Sequence, residues 1–427
     1  MIVVVGGGVA GLAAAQTLAA AGQHPIVVEA RSRIGGRVFT YREGRMLADL
    51  GACWIHGYKG NPVTEIARRE GLATKPTAHD DRRIYEAPGA HFKEAEEDAY
   101  RAWFDDRLER AAALARRGAE RPLADGMRAG ADRLPPRKRL YLEFGLKWIE
   151  LVMGGPADRL SLRHWDHDED LPGGDLLFPG GFDAVVGALA EGLDIRTGCV
   201  VRAVERGDAG VTLEIEDGSR LRAEACVLAV PLGVLKAGAL AVEPPLPEPM
   251  REAIGRLEMG LLDKIVLRFP RRFWPRTTYL AAARADFAEY PAFFDPDVPG
   301  GPPMLVGLIA ARSASRGEEL SDEDAAKRAV SALSRMMDGA VIEPERAIVT
   351  RWGQDSFSRG SYSHLPAGAS PADYDALAAP VGRLALAGEA THRRHPATVH
   401  GAYLSGVRAG RQLIRELDPG FNSTDLR

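Results

Sequence analysis

The 427 residues carry 55 Lys and Arg against 59 Asp and Glu, a formal net charge of −4, with a pI of about 6.2. That balance leaves no basic footprint for nucleic acid or an anionic membrane, and a 45% hydrophobic share suits a globular chain long enough for two domains. Three cysteines, Cys53, Cys199 and Cys226, with no C-x-x-C, argue against a disulfide framework, a zinc site and a redox dithiol.

Met1–Val38 opens with Ile2–Val5, a wholly apolar run suited to a buried parallel strand. It leads into Gly6-Gly7-Gly8-Val9-Ala10-Gly11, which satisfies G-x-G-x-x-G. In that motif Gly6 allows the tight turn, Gly8 the close approach to a pyrophosphate, and Gly11 the packing of the next helix on the sheet. The helix, Leu12–Ala21, would direct free N–H groups at the phosphates. Pro25–Val28 reads as the second strand, ending at Glu29, where an acidic side chain accepts from an adenosine ribose. The apolar stretch could pass for a signal or membrane segment, but it lacks a basic start and contains three consecutive glycines and Gln16. Because the first strand begins at once, a cytoplasmic protein without a membrane anchor is expected. Arg31, Arg33 and Arg37, with Gly35-Gly36 between them, then place three cations and a flexible pair beside the pyrophosphate.

Farther on, Leu47–Gly57 is a glycine-punctuated loop holding Trp54 and His56; on chemistry alone His56 reads as a structural loop histidine. Asn61 is set to cap a helix with Pro62 at its first position. From Thr74 to Leu151 the chain reads as largely helical, with its many charges on a solvated face. Ser161–Asp170 gathers Asp166, Asp168, Glu169 and Asp170 beside two histidines and Trp165. Consecutive loop residues seldom converge on one ion, so no metal is expected; the segment is either a solvated acidic loop or a wall that binds cations. A helix near Phe182–Ala190, a strand at Leu193–Ile195, hairpin strands over Val200–Glu205, Gly210–Glu216 and Arg220–Glu224, and an apolar strand Cys226–Val230 follow. The proline-rich Val242–Pro249 reads as a crossing between domains. Lys264–Phe269 alternates, and its half-polar face makes Lys264 a surface lysine by default. Glu323–Met337 is an amphipathic helix, and Leu384–Ala387 a buried strand leading through Gly388-Glu389 to a helix over Val399–Glu416.

Taken in order, GGGVAGL, EARSRIGGRV, DLGACWIHGYKGNP, LSLRHWD, AVPLGVLK, GLLDKIVLRF, RWGQDSFSRGSYS and GEATHRRHPATVHGAYLSG resemble the flavin amine oxidase family, its polyamine oxidases and flavin-dependent histone lysine demethylase above all. The resemblance covers nearly the whole chain. It implies a two-domain α/β fold: a Rossmann-type FAD-binding domain over 1–73, 176–243 and 381–427, and an α+β substrate-binding domain over 74–175 and 244–380.

For the cofactor, the resemblance implies FAD contacts at Gly6, Gly8, Gly11, Glu29, Arg31, Gly36 and Arg37, with Val201 under the adenine. Trp54, Trp352, Glu389 and Val399 are implied near the flavin, and Lys264 as the lysine that reaches flavin N5 through a water. Tyr362 matches one wall of the amine channel and Thr398 the opposite wall, a departure from the two-aromatic cage of monoamine oxidases. His56 matches a histidine of animal polyamine oxidases. Asp168, Glu169 and Asp170 fall in the cavity-wall segment and are expected to bind substrate cations.

The C-terminal cysteine of covalent-flavin monoamine oxidases is missing, which implies noncovalent FAD. No pair of very long helices is found to build the demethylase tower. The expected activity is oxidation of a polyamine such as spermine or spermidine with O2, releasing peroxide, by a monomer or homodimer. Monoamines, amino acids, peptide tails and non-amine substrates are the alternatives.

Overall fold

A computed structural model describes residues 1–284, 290–339 and 341–421. The apolar run Ile2–Val5 is the centre of a five-stranded parallel sheet ordered Asp194–Arg196, Pro25–Val28, Ile2–Val5, Ala225–Leu228, Leu384–Leu386. Strands covered on both faces are uniformly apolar, and all four residues of Ile2–Val5 and of Ala225–Leu228 are buried. Helix Val9–Ala20 leaves the end of the first strand and packs against helix Val399–Leu417. Small residues bring the two backbones together: a Cβ at Gly406 would stand 2.1 Å from the Ala10 carbonyl oxygen. A four-stranded sheet, Arg220–Ala223, Gly210–Ile215, Val201–Gly207 and Ala241–Glu243, covers the apolar side chains on the other face.

A second large sheet has seven strands, ordered Arg346–Val349, Leu262–Arg268, Met304–Ala310, Ala292–Phe294, Tyr279–Ala282, Arg82–Ala87, Ala90–His91. Its strand Leu262–Arg268 is paired on both edges. Ile265 and Leu267 turn to the helix Asp322–Met336, in a core with Leu333 and Met336. Val266 belongs to a separate core with Met46, Leu50, Cys53 and Tyr279. Helices Glu94–Arg117, Leu123–Arg128 and Pro136–Met153 pack through Phe104, Leu123 and Leu142 against Ile84 and Ala281.

Three expectations change. The stretch after Thr74 is not helical at its start: strands Lys75–Thr77, Arg82–Ala87 and Ala90–His91 precede the long helix. Arg82–Ala87 is a strand because it pairs in parallel with Tyr279–Ala282, nearly two hundred residues away, a contact no local pattern reveals. Lys264 is not a surface lysine. Its strand is interior to the sheet, and the residue is only 4% exposed. The proline-rich crossing is short, since Ala241–Glu243 belongs to the four-stranded sheet and helix Glu248–Arg256 begins five residues later. No helix among the described residues is long and apolar enough to cross a membrane.

Candidate active site

A cavity of about 1050 Å³ runs from the first glycine loop to the face of the second sheet. It lies at the top of the roughly 300–1,000 Å³ typical of pockets for drug-sized ligands, the size range expected for a large cofactor. Its inner lining passes Gly6, Gly8, Glu29, Arg31, Gly36, Arg37 and Val201, then Glu389, Trp352, Lys264, Trp54 and Tyr362.

The glycine end is built for close approach. Gly6 takes φ +106°, and a Cβ at Gly11 would lie 1.9 Å from the Gly6 carbonyl oxygen, so neither position admits another residue. A Cβ at Gly36 would stand 3.6 Å from the Gly8 Cα, filling the gap where the two glycine loops meet. Helix Val9–Ala20 has Gly8 as its cap residue, with no side-chain cap and no acidic residue in its first turn. Its leading N–H groups are thus left for an anion. Glu29 is buried and holds the loop, accepting from the Gly7 N–H at 2.7 Å and the Arg31 N–H at 2.8 Å. The residues present therefore fit a dinucleotide.

The arginines are engaged with carboxylates. Arg31 donates to Asp355 Oδ1 and Ser358 Oγ, both at 2.7 Å. Arg37 donates to Glu389 Oε1 at 2.8 Å and the Ser361 carbonyl at 2.9 Å. Arg33 bonds the Gly36 carbonyl and lies over Phe39. Clustered cations need anionic partners, and Arg31 and Arg37 still line the cavity while clamping the 355–363 segment to it. Glu389 is buried and also accepts from Ser363 Oγ at 2.6 Å and the Ala397 N–H at 3.0 Å.

At the other end, Lys264 Nζ donates to the Asp49 and Gly51 carbonyls at 2.9 and 2.6 Å and meets Cys53 Sγ at 3.2 Å. The Trp352 indole N–H donates to the Leu50 carbonyl at 3.1 Å. The Tyr362 hydroxyl donates to the Leu151 carbonyl at 3.0 Å, and burial holds its pKa well above the usual phenol range. At this aromatic end the Trp352, Tyr362 and Lys264 donors are bonded to protein acceptors, while the buried Trp54 indole N–H has no partner.

Two of the expected site residues, Thr398 and Glu169, have their polar groups engaged elsewhere. Thr398 caps helix Val399–Leu417: its hydroxyl accepts from the Gly401 N–H and donates to the His395 carbonyl, each at 2.9 Å, so its one O–H is engaged. Val399 is the first residue of that helix and also lines the cavity. The Glu169 carboxylate turns outward to Arg394, with a 2.7 Å bond from the arginine Nε. It is the Glu169 carbonyl that faces inward, bonding His395 Nδ1 at 2.9 Å. Asp168 and Asp170 line the cavity, and no Lys or Arg among the described residues pairs with either. Burial raises the pKa of Asp168, and the nearby Asp170 adds to that rise. His56 lies farther out, with its Nδ1 3.0 Å from Asp175 Oδ2.

Sequence reasoning missed Asp175, His79, Tyr279, Trp148 and His400, all cavity-lining. None lies in a recognisable spacing; His400 was within a quoted motif but carried no signal of its own.

Residues 9–414 match the family described as flavin containing amine oxidoreductase. The chain is 35% identical to polyamine oxidase 2 of Arabidopsis thaliana over 442 residues, covering all of this chain and 90% of that protein. It is 36% identical to lysine-specific histone demethylase 1 homolog 1 of the same plant, spanning 97% of this chain and 52% of that longer protein. A solved putrescine oxidase double mutant superposes with a TM-score of 0.77 at 22% identity, over 97% of this chain and 98% of that one. The chain belongs to the flavin-containing amine oxidase family. It is an oxidoreductase, and its cofactor is a flavin.

Asp49 supports the reacting end and titrates in an accessible range. Its carboxylate accepts from Thr40 Oγ1 at 2.5 Å and the Phe182 N–H at 3.0 Å, while its carbonyl holds Lys264. Burial outweighs those bonds and pushes the pKa up to about 6. The unfolded chain releases this proton near pH 4, so between about pH 4 and 6 the native state binds more protons and stability falls as pH rises. Asp49→Asn should remove about 1–3 kcal/mol of that fall. Urea midpoints of wild type and variant across the interval measure the difference, and parallel curves would refute it.

Proposed function

We propose that this chain oxidises a polyamine of the spermine or spermidine class, using FAD held noncovalently, with O2 as acceptor and peroxide as product. In this reading the stretches 1–73, 176–243 and 381–427 hold the nucleotide and 74–175 with 244–380 hold the amine. When bound, the flavin supplies the two-electron acceptor. Everything else falls to the chain's own groups.

A reacting nitrogen must be neutral, because its lone pair assists removal of the adjacent hydrogen with its electrons. Trp54, Trp352 and Tyr362 surround it with apolar surface, and desolvation there disfavours the ammonium form. The Tyr362 hydroxyl and Trp352 N–H already have carbonyl acceptors, so they orient rings without competing for the amine. Lys264 Nζ, fixed by two carbonyls and a thiol, holds its protons at a defined place beside this end. Orientation and exclusion of water, not a nucleophile, do the work.

The observation that carries the polyamine assignment is the pair Asp168 and Asp170, cavity-lining carboxylates without a basic partner. A polyamine brings further ammonium groups that stay charged while its reacting nitrogen loses a proton. Peroxide release tests the reading directly: spermine and spermidine should give it, at a kcat/KM above that of tyramine, an amino acid or a methyl-lysine peptide. Dominance of any of those three would replace it. Acid precipitation of the same enzyme should leave the yellow FAD in the supernatant.

Lys264→Met should keep FAD bound yet slow flavin reduction, reoxidation or both by a large factor in stopped-flow absorbance. Unchanged rates in both half-reactions would leave Lys264 a purely structural tie.

For the carboxylates, a cation about 4 Å away gains roughly 1 kcal/mol in water and about 4 at an effective dielectric near 20. Replacing Asp168 and Asp170 by Asn should therefore raise KM for spermine about tenfold or more, at ~1.4 kcal/mol per decade. KM for tyramine and flavin reduction at saturation should hardly move, and Glu169→Gln should be near neutral because its carboxylate faces Arg394. Equal effects on spermine and tyramine would count against a distal-cation site.

A further inference from the structure

The rim of the cavity carries a donor set that amine oxidation leaves unused in part. Strands Trp54–Ile55, Asp175–Leu177 and Lys75–Thr77 form one small antiparallel sheet, and its pairing brings distant segments to one edge. His56 follows the first strand, His79 follows the third, and Asp175 begins the second. His56 Nδ1 lies 3.0 Å, and His79 Nε2 2.5 Å, from Asp175 Oδ2. One donor atom from each residue lies within 4.8 Å of the other two. The histidine side chains are 52% and 42% exposed, so this cluster stands where the cavity meets solvent.

Its outer contacts aim those donors inward. Asp175 Oδ1 accepts from the Gly57 N–H at 3.1 Å, which leaves Oδ2 for the rings. His79 Nδ1 bonds the buried Tyr279 hydroxyl at 2.8 Å, leaving Nε2 as its inward nitrogen. Trp54 backs both imidazoles, with centroids 6.2 Å from His56 and 5.4 Å from His79.

We propose that His56, His79 and Asp175 bind a divalent cation of the zinc type at the cavity mouth, and that the bound ion obstructs the amine's route. Two imidazoles and a carboxylate are a donor set that zinc and its first-row neighbours take, with open positions left for water. Donors around tetrahedral zinc stand roughly 3.3 Å apart at metal–ligand distances of about 2.0–2.2 Å. Reaching that geometry takes shifts of about 1 Å, within the freedom of half-exposed rings, with His79 Nδ1 and Asp175 Oδ1 held from behind. Each imidazole binds as the neutral ring through the nitrogen that faces the ion, with its N–H on the opposite nitrogen, the carboxylate binds as the anion, and no redox change is involved.

The test uses holoenzyme cleared of metal by a chelator, with no amine present. Titration with Co2+ should give d–d bands to the red of the flavin absorption, at one ion per chain, and Zn2+ should displace them. Zn2+ binding by calorimetry should weaken on the order of tenfold or more in Asp175→Asn and in His79→Ala, and about tenfold in Tyr279→Phe, which touches no ion but orients His79. His79→Ala, at an exposed position, decides the matter if Asp175→Asn does not fold. Zn2+ should also raise KM for the amine without slowing flavin reduction at saturation. Absence of one-to-one uptake, or uptake unchanged in both ligand variants, would overturn the site; uptake with KM unmoved would overturn the obstruction. Because binding is read without substrate, these outcomes stand apart from the identity of the amine.

Discussion

The amino group of Lys264 is the tie on which the two halves of the site depend. It comes from a strand paired on both edges and reaches across to the Asp49 and Gly51 carbonyls and the Cys53 thiol. Without it, two buried carbonyls would lose their donor, each at a cost of about 1–3 kcal/mol. The loop so held carries Trp54 at its end. Gly51 presses against the loop at Arg37 so tightly that a Cβ there would lie 1.8 Å from the Arg37 carbonyl oxygen. Arg37 in turn bonds Glu389, and Glu389 bonds Ser363 and the Ala397 N–H. One continuous path of satisfied polar groups therefore links the seven-stranded sheet, the glycine loops and the segment before the last helix. Lys264, Ser363 and Glu389 are buried, so these members of the path depend on one another rather than on bulk water, which favours one relative placement of these elements.

How much of this was legible in the chain depends on the range of the contact. The first strand, its glycines and the following helix are local, and apolar run, turn chemistry and spacing all agree there. Asn61 capping its helix was legible for the same reason, its Oδ1 accepting from the Val63 N–H at 3.0 Å. Lys264 was misread by the alternation rule because alternation assumes one solvated face, and a strand interior to a covered sheet has none. Thr398 and Glu169 line the cavity, but their polar groups are engaged by a helix start and by Arg394, which spacing does not encode. His79 and Asp175 were invisible, since only the pairing of three short strands makes them neighbours of His56.

The polarity of the cavity explains why its two ends can ask opposite things of one substrate. At the inner end the donors Trp352 Nε1, Tyr362 Oη and Lys264 Nζ each already face a protein acceptor, so an ammonium there would lose water and gain little. Toward the outer end, His395 and His56 are the histidines whose charge would oppose that of Asp168. Burial pushes His400 down to about 3 and His392 down to about 4, the latter aided by the neighbouring His395 and arginines. Both stay neutral at working pH and so add no positive charge to this end. A carboxylate whose own pKa is raised by burial, as for Asp168, is one that gains most from an incoming cation. A chain with one neutral and one charged nitrogen meets both demands at once, with deprotonation favoured where the rings are and charge retained where the carboxylates are.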